Sequence, residues 1–356
     1  MRAAGRVGVR LIAGPRPGAA WHTANNRFAP SAPSARVRGH IGKGAAAPAR
    51  RQLSAPAALK DIDMTPTDLA HQLAHWRQWI GRTEQRRDVI TAAPLVGLAA
   101  TLDRPDPAPQ PGEPVAPLAH WLYFLPAARQ SELGADGHAL RGGFLPPVPL
   151  PRRMWAGGRL QFHHPLRVGD EVTRTSTIQQ VDAKAGRSGP LVFVTVRHEI
   201  ANAHGTALSE EHDIVYREAP PAGPAGAAWS APAPQAAPAD ADFSRDIAPD
   251  PVLLFRYSAL TFNGHRIHYD RKHVTEVEGY PGLVVHGPLI ATLLVDLLRG
   301  ERPQAELAHF GFTAVRPLFE PRGFRVCGRE EPGGGFALWA SDAQGLLAMR
   351  AEARVR

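Results

Sequence analysis

The chain has 356 residues, with 41 Lys and Arg against 33 Asp and Glu, a formal net charge of +8 and a single cysteine. That length holds two ordinary domains and a tail, while the lone Cys327 excludes an internal disulfide framework and any thiolate metal pattern. Residues 1–60 carry nine Arg, two Lys and no acidic residue, so the rest of the chain is mildly acidic; it shows no basic stripe interleaved with aromatics and no apolar run of roughly 18 residues, which argues against nucleic-acid binding and a membrane span.

Residues 1–63 are rich in Ala, Arg, Pro, Gly and Ser and lack apolar periodicity. Such a segment buries too little surface to offset its ordering entropy. Three readings stand for it. It is a transit peptide that sends the protein to the mitochondrial matrix, a disordered basic tail, or sequence upstream of a start at Met64. The last is favoured and keeps the protein in the cytoplasm. Just after Met64, Leu69, Leu73, Trp76 and Ile80 fall at helical spacing behind Thr65 or Thr67 as a cap, and Gly81 ends the pattern. A second helix is predicted over 92–102, with Thr91 before it and Pro94 in its first turn.

A Pro-rich passage over 105–118 leads to an apolar strand at 121–125, and 139–158 reads as an ordered loop. Alternating residues from 159, then 172–181, 191–200 and 207–216, predict an antiparallel meander, with a hairpin turn at 186–189. Histidines 163, 164, 198, 204 and 212 read as strand or surface residues. Residues 218–242 are mostly Ala, Pro and Gly, a linker between a unit at 64–217 and one at 243–356. In the second unit Pro288 opens a helix whose Leu289, Ile290, Leu293, Leu294, Leu297 and Leu298 make it apolar over a wide arc, so it must be buried. Gly300 ends it. Strands follow at 308–315, 323–329, 336–341 and 346–355. A long central helix gripped by a curved antiparallel sheet, present twice, is an α+β layout.

Chemistry concentrates in 255–270 and 279–287. His268 is the acid–base candidate, because imidazole titrates near working pH. Asn263, five residues earlier, can hold a water in line. His286 and Gly287 meet the start of the buried helix, where free N–H groups and the helix dipole suit a developing negative oxygen. His265, Asp270 and His273 add metal-type groups without the fixed spacing a metal site demands.

The run Thr-Phe-Asn-Gly-His-Arg-Ile-His-Tyr-Asp at 261–270, followed by Gly-Leu-Val-Val-His-Gly at 282–287, resembles the hydratase motif of the MaoC-like hydratases. Within them it is more similar to the branch of type 2 hydroxyacyl-thioester dehydratases and mesaconyl-C4-CoA (3-methylfumaryl-CoA) hydratases. The resemblance covers roughly 64–356 and is strongest over 252–300. It implies a double hot-dog fold, a degenerate first repeat that shapes the acyl pocket and a catalytic second repeat. It also implies an acyl-CoA thioester substrate, no cofactor, no metal and no nucleic-acid or membrane partner, and it is compatible with a homodimer. The commoner motif has Asp five residues before the catalytic His and Asn-Pro between them. Here Asn263 stands in the Asp slot and His265-Arg266 replace Asn-Pro, so His268 would move the proton and Asn263 orient water. The implied reaction is hydration of a short, branched acyl-CoA, best matched by mesaconyl-C4-CoA going to citramalyl-CoA. The alternatives are a (3R)-hydroxyacyl-thioester dehydratase of fatty-acid synthesis, an itaconyl-CoA hydratase, or a non-catalytic acyl-thioester-binding subunit. A second carboxylate on the substrate would need a cation, for which Arg256 and Arg266 are nearest in sequence.

Overall fold

The computed structural model describes residues 66–186, 189–218 and 233–356. The extension at 1–63, residues 187 and 188 of the predicted hairpin turn, and 219–232 of the linker lie outside the described residues.

Among the described residues, ten strands form one antiparallel sheet. Its order is β1 (Thr83–Val89), β3 (Glu171–Gly186), β4 (Gly189–Asn202), β5 (Gly205–Arg217), β2 (Arg152–Phe162), β7 (Leu307–Ala314), β10 (Leu347–Val355), β9 (Gly335–Asp342), β8 (Phe324–Glu331) and β6 (Phe243–Ile247). Five neighbouring strands come from the chain before residue 218 and five from the chain after 242. The two sets meet where β2 pairs with β7, with Leu160 opposite Phe310 and Gly157 opposite Thr313. Gly157 permits that approach: a Cβ there would stand 2.5 Å from the Phe312 carbonyl oxygen.

Four α-helices among the described residues accompany the sheet: α1 (Pro66–Trp76), α2 (Ala92–Thr101), α3 (Pro251–Leu260) and α4 (Gly287–Glu301). Every residue of α4 from 289 to 298 is buried. Each enclosed Leu or Ile contributes roughly 1.5–3 kcal/mol relative to exposure, so this helix anchors the second half. Its one buried charge, Asp296, is held by Arg245 of β6 at 2.9 Å and by Arg104, which lies just past α2. Arg104 thereby ties α4 to the first half. The helix is long only in the second half. In the first, α1 lays Leu69 and Trp76 against Ile178, Val181 and Val192, and α2 packs on α3. This is an α+β double hot-dog. Among the described residues no helix is long and apolar enough to cross a membrane.

Three local expectations are corrected. Residues 121–125 are not a strand. Ala119–Leu122 is a 3-10 turn, and Leu118 and Phe124 have φ of 69° and 55°. The segment is held by side chains instead: the Phe124 N–H donates to Asp88 Oδ2 at 2.6 Å and the Tyr123 hydroxyl to the Thr91 carbonyl at 2.5 Å. Residues 152–158 are not loop but the start of β2, paired with β5 from Arg152 and with β7 as well from Gly157. Their glycines serve close strand approach rather than a turn. β1 and α3 had no apolar pattern to reveal them. β1 is an edge strand of polar residues, and α3 exposes Val252 and Phe255 while Asp250 caps it through the Leu253 N–H at 2.8 Å. Ile80 likewise leaves the α1 pattern: it lies in extended backbone past Arg77–Trp79 and is 44% exposed.

Candidate active site

The polar stretch begins where α3 stops. The Thr261 hydroxyl donates back to the Tyr257 carbonyl at 2.8 Å, Phe262 takes φ of 48°, and the Asn263 N–H donates to Ser258 O at 2.8 Å. This helix C-terminus turns Asn263 inward. Its Oδ1 accepts from the His265 N–H at 3.0 Å, which leaves the Nδ2 hydrogens to face the cavity. Arg266–His268 then forms one 3-10 turn.

His268 is fixed by a strand-like contact to the next motif. The Val284 N–H donates to Ile267 O at 3.0 Å, and His268 Nδ1 donates to Val284 O at 2.7 Å. With Nδ1 as the donor, Nε2 keeps a lone pair for a proton. Residue 284 is itself held, because the Val285 N–H donates to Leu318 O and the Leu283 N–H to the buried Glu320 carboxylate. The His268 ring stacks on His286 with centroids 3.7 Å apart and planes at 18°. Burial pushes His268 down to about 4, against the Val284 hydrogen bond, which works the other way. Burial first, then His268 and His265, hold His286 well below the usual range. Both rings are therefore neutral at physiological pH.

Gly287 opens α4. The first helical bond is from Ile290 to His286 O, so the Gly287 N–H precedes it, and Pro288 has none. A Cβ on Gly287 would meet nothing within 4 Å, which is the open space of the cavity. An oxygen placed there meets an N–H at the positive end of a buried helix.

Two connected cavities, of about 1080 Å³ and 770 Å³, run between the halves. Asn263 and Pro288 line both; His268 and Gly287 line the second and His286 the first. The opposite wall comes from the inward faces of β2 to β5. There His120 Nε2 meets Glu210 Oε2 at 3.0 Å and Trp121 Nε1 donates to the same carboxylate at 3.1 Å. His212 stacks on Trp155 at 4.0 Å, and His198 Nδ1 lies 2.8 Å from Ser176 Oγ. His198 and His212 are thus wall residues of the cavity rather than surface ones. The signal was present: His198 follows Val192, Val194 and Val196 in strict alternation, which puts it on the buried face. Arg153, Arg174 and the His120–Glu210 pair were missed altogether.

These buried groups make the fold acid-sensitive. Burial pushes His198 down to about 3 and His212 to about 4, from the ordinary 6.5. Burial alone would raise Glu210, but the His120 hydrogen bond and the charges of His120, His198 and His212 more than offset it, leaving it at about 2 instead of 4.5. In each case the unfolded chain binds the proton first, so stability rises with pH. Melting temperature should fall as pH drops below 6.5, through the histidines, and again from 4.5 towards 2, through Glu210. A melting temperature constant from pH 7 to pH 4 would contradict this assignment.

A loop of the first half braces the catalytic turn. The Arg266 N–H donates to Asp136 O at 2.9 Å and Arg266 Nη1 to Ala135 O at 3.0 Å. Gly137, at φ of 89°, sits against Gly264, where an added Cβ would come within 1.9 Å of the carbonyl oxygen. Asp136, His138 and His265 bring ligand-type atoms within 4.8 Å of one another. Yet the His138 and His265 rings pack against each other, tilted by 39° with centroids 4.0 Å apart, and Asp136 Oδ2 already pairs with His138 Nδ1 at 2.9 Å. The cluster reads as part of the brace.

Asn263, His268 and Gly287 therefore share one cavity. The other sequence-stretch candidates do not act as expected. His286 is 1% exposed, with Nε2 on Ser258 Oγ at 2.8 Å and Nδ1 buried, so it supports the His268 ring rather than reaching an oxyanion. Arg266 is committed to Asp270 at 2.7 Å and to the brace. Arg256 is exposed on α3 and lines neither cavity. Arg256 is therefore not placed to meet a substrate carboxylate, and Arg266, which lines the first cavity, already has a carboxylate partner in Asp270.

Comparison with known proteins fits this geometry. The profile described as hydroxyacyl-thioester dehydratase type 2 matches residues 118–320. The chain is 51% identical over 257 residues to the mesaconyl-C(4)-CoA hydratase of Chloroflexus aurantiacus, covering 72% of this chain and 89% of that one. It is 28% identical over 277 residues to the mitochondrial hydroxyacyl-thioester dehydratase type 2 of Schizosaccharomyces pombe, covering 68% and 88%. Among solved structures, HtdX of Mycobacterium tuberculosis superposes with a TM-score of 0.54 at 16% identity, covering 77% of this chain and all of that one. A MaoC-like dehydratase superposes with 0.55 at 14% identity, covering 79% and 99%. At such identities these two structures speak for the fold alone.

Proposed function

The chain belongs to the hydroxyacyl-thioester dehydratase type 2 family and is a hydro-lyase, and from that premise we propose that it hydrates a short, branched, carboxylated α,β-unsaturated acyl-CoA, namely mesaconyl-C4-CoA, to citramalyl-CoA. The observation that carries the chemistry is the joint placement of the His268 imidazole, the Asn263 amide and the Gly287 N–H on one cavity. The observation that favours this substrate is the 51% identity to a hydratase of that name. The cavity wall agrees with it. Arg153, Arg174, His198 and His212 line the face opposite Asn263, where a long fatty acyl chain would want an apolar tunnel.

The mechanism follows from the atoms available. Asn263 Nδ2 donates to a water, and His268 Nε2 accepts one of its protons as the oxygen attacks Cβ. The C=C electron pair shifts towards the thioester, whose oxygen gains negative charge against the Gly287 N–H. His268 then returns the proton to Cα, which leaves the imidazole neutral and adds water on one face. One oxyanion donor of this kind is worth about 3 kcal/mol of barrier. The thioester itself makes the α-proton acidic, so the scheme draws on no metal or redox group.

Asn263→Asp tests the division of labour. The carboxylate can keep the bond from the His265 N–H, so activity should stay within about tenfold of the parent if the residue only positions water. A loss as deep as that from removing His268 would assign Asn263 a larger part. The substrate is tested by following the enoyl-thioester absorbance with mesaconyl-C4-CoA, itaconyl-CoA and crotonyl-CoA. The carboxylated C4 ester should have the highest kcat/KM. A preference for crotonyl-CoA would move the reading to the fatty-acyl dehydratases.

A further inference from the structure

We propose that Arg153 is the residue that selects a carboxylated acyl group, by pairing with the carboxylate that mesaconyl-C4-CoA carries on Cβ; the assignment rests on the substrate reading above. Arg153 lies on β2 and lines both cavities at the place where they join, as Asn263 does. Among the described residues no carboxylate oxygen comes within 4.0 Å of its guanidinium. It also acts on the Tyr216 hydroxyl, drawing its pKa down against burial, which raises it. The charges it acts on are Arg141, His212 and His265, and His265 is three residues before His268.

The contrast with the adjacent residue is direct. Arg152 ends on Glu278 at 2.7 Å, as Arg271 does on Glu320 at 2.7 Å. A guanidinium partly withdrawn from water without a counter-ion is unfavourable unless a ligand brings the anion. Arg174 on β3 and Arg217 at the end of β5 are further guanidinia of this wall without a carboxylate partner among the described residues, but Arg217 lines the second cavity alone. Arg174 faces Phe124 at 5.1 Å, and the groups it acts on, His198, His212 and Glu210, all belong to the first-half wall. Arg153 shares both cavities with Asn263 and acts on His265, within the turn itself.

Position also matters for the chemistry. The carboxylate of mesaconyl-C4-CoA sits on the carbon that water attacks. Its charge repels an oxygen that is becoming hydroxide-like, and a paired guanidinium cancels that repulsion. A planar guanidinium can grip the carboxylate through two parallel N–H bonds and so also set which face of the double bond meets Asn263 and His268.

The test compares mesaconyl-C4-CoA with 3-methylcrotonyl-CoA, which has a methyl group in place of the carboxylate and is read as a competitive inhibitor. In Arg153→Gln, kcat/KM for mesaconyl-C4-CoA should fall about 10- to 100-fold, the worth of one charge-assisted pair, while the inhibition constant of 3-methylcrotonyl-CoA stays nearly unchanged. Arg153→Lys should recover part of the loss. Parallel weakening of both esters would overturn the assignment, because it would mean that Arg153 serves the CoA moiety or the wall. So would a selective loss seen in Arg174→Gln and not in Arg153→Gln. A parent enzyme that hydrates crotonyl-CoA and ignores mesaconyl-C4-CoA would instead bring down the proposed function, a result distinct from failure of Arg153 alone.

Discussion

Replacing His268 with alanine should lower kcat about 10²- to 10⁴-fold, the range for removing a positioned general base, with far-ultraviolet circular dichroism unchanged. The imidazole is the group on this cavity wall whose tautomer is set by a backbone carbonyl, through Nδ1 and Val284 O at 2.7 Å. Its removal takes away the acceptor for the water proton and the donor for Cα at once. Stacking on His286 at 3.7 Å means that the variant also opens space beside a second ring. His268→Gln, which fills more of that space without a titrating nitrogen, should lose activity to a similar depth. The pH profile gives an independent reading. His268 is the functional base only when neutral, and burial pushes its pKa down to about 4. The acid limb of kcat/KM should therefore lie near 4 rather than at the ordinary 6.5, with activity lost as pH falls through it. Near-parental turnover by His268→Ala, or an acid limb at the ordinary value, would remove His268 from the proposed role.

Gly137→Ala should cost about 10²-fold in kcat/KM, because a displacement of about 1 Å in a catalytic group has that effect. The added Cβ would stand 1.9 Å from the Gly264 carbonyl oxygen, and backbone there cannot swing aside like a side-chain tip. Gly264 lies between Asn263 and His265, so the turn must move to relieve the contact. The substitution also places alanine at φ of 89°, which is strained in its own right. Gly112→Ala separates the two effects. Its φ is 85° and its Cβ would meet nothing within 4 Å. Both variants should lower the melting temperature, and only Gly137→Ala should lose activity. Equal activity in the two would show that the loop at 134–139 merely lies beside the catalytic turn.

Much of the catalytic half can be read from the chain alone. Asn263 and His268 are five residues apart on one helix-ending turn, and Gly287 announces itself as the start of an apolar helix by Pro288 and the leucines that follow. The unreadable part is the first-half wall. β2 begins inside a Pro- and Gly-rich run, and nothing local tells that Gly157 and Gly158 serve a strand packed on both edges. His198 and His212 looked like scattered strand histidines because an alternating pattern says which residues share a face but not what that face meets. The same limit produced Arg256 and Arg266 as carboxylate partners: nearness in sequence was the available measure, and α3 points Arg256 to solvent while Asp270 claims Arg266.

The sequence by itself determined the α+β layout, the buried helix, and the polar turn that precedes it, because caps, turns and helical periodicity act over a few residues. Tertiary structure alone decided the rest. It fixed the His268 tautomer through a residue 16 positions away, braced the turn across 131 positions and paired His120 with Glu210 across 90. It also brought Arg153 to the cavity from the other half of the sheet. Those contacts depend on strand order and register, which join residues far apart in the chain. Packing sets them, and no local spacing encodes them.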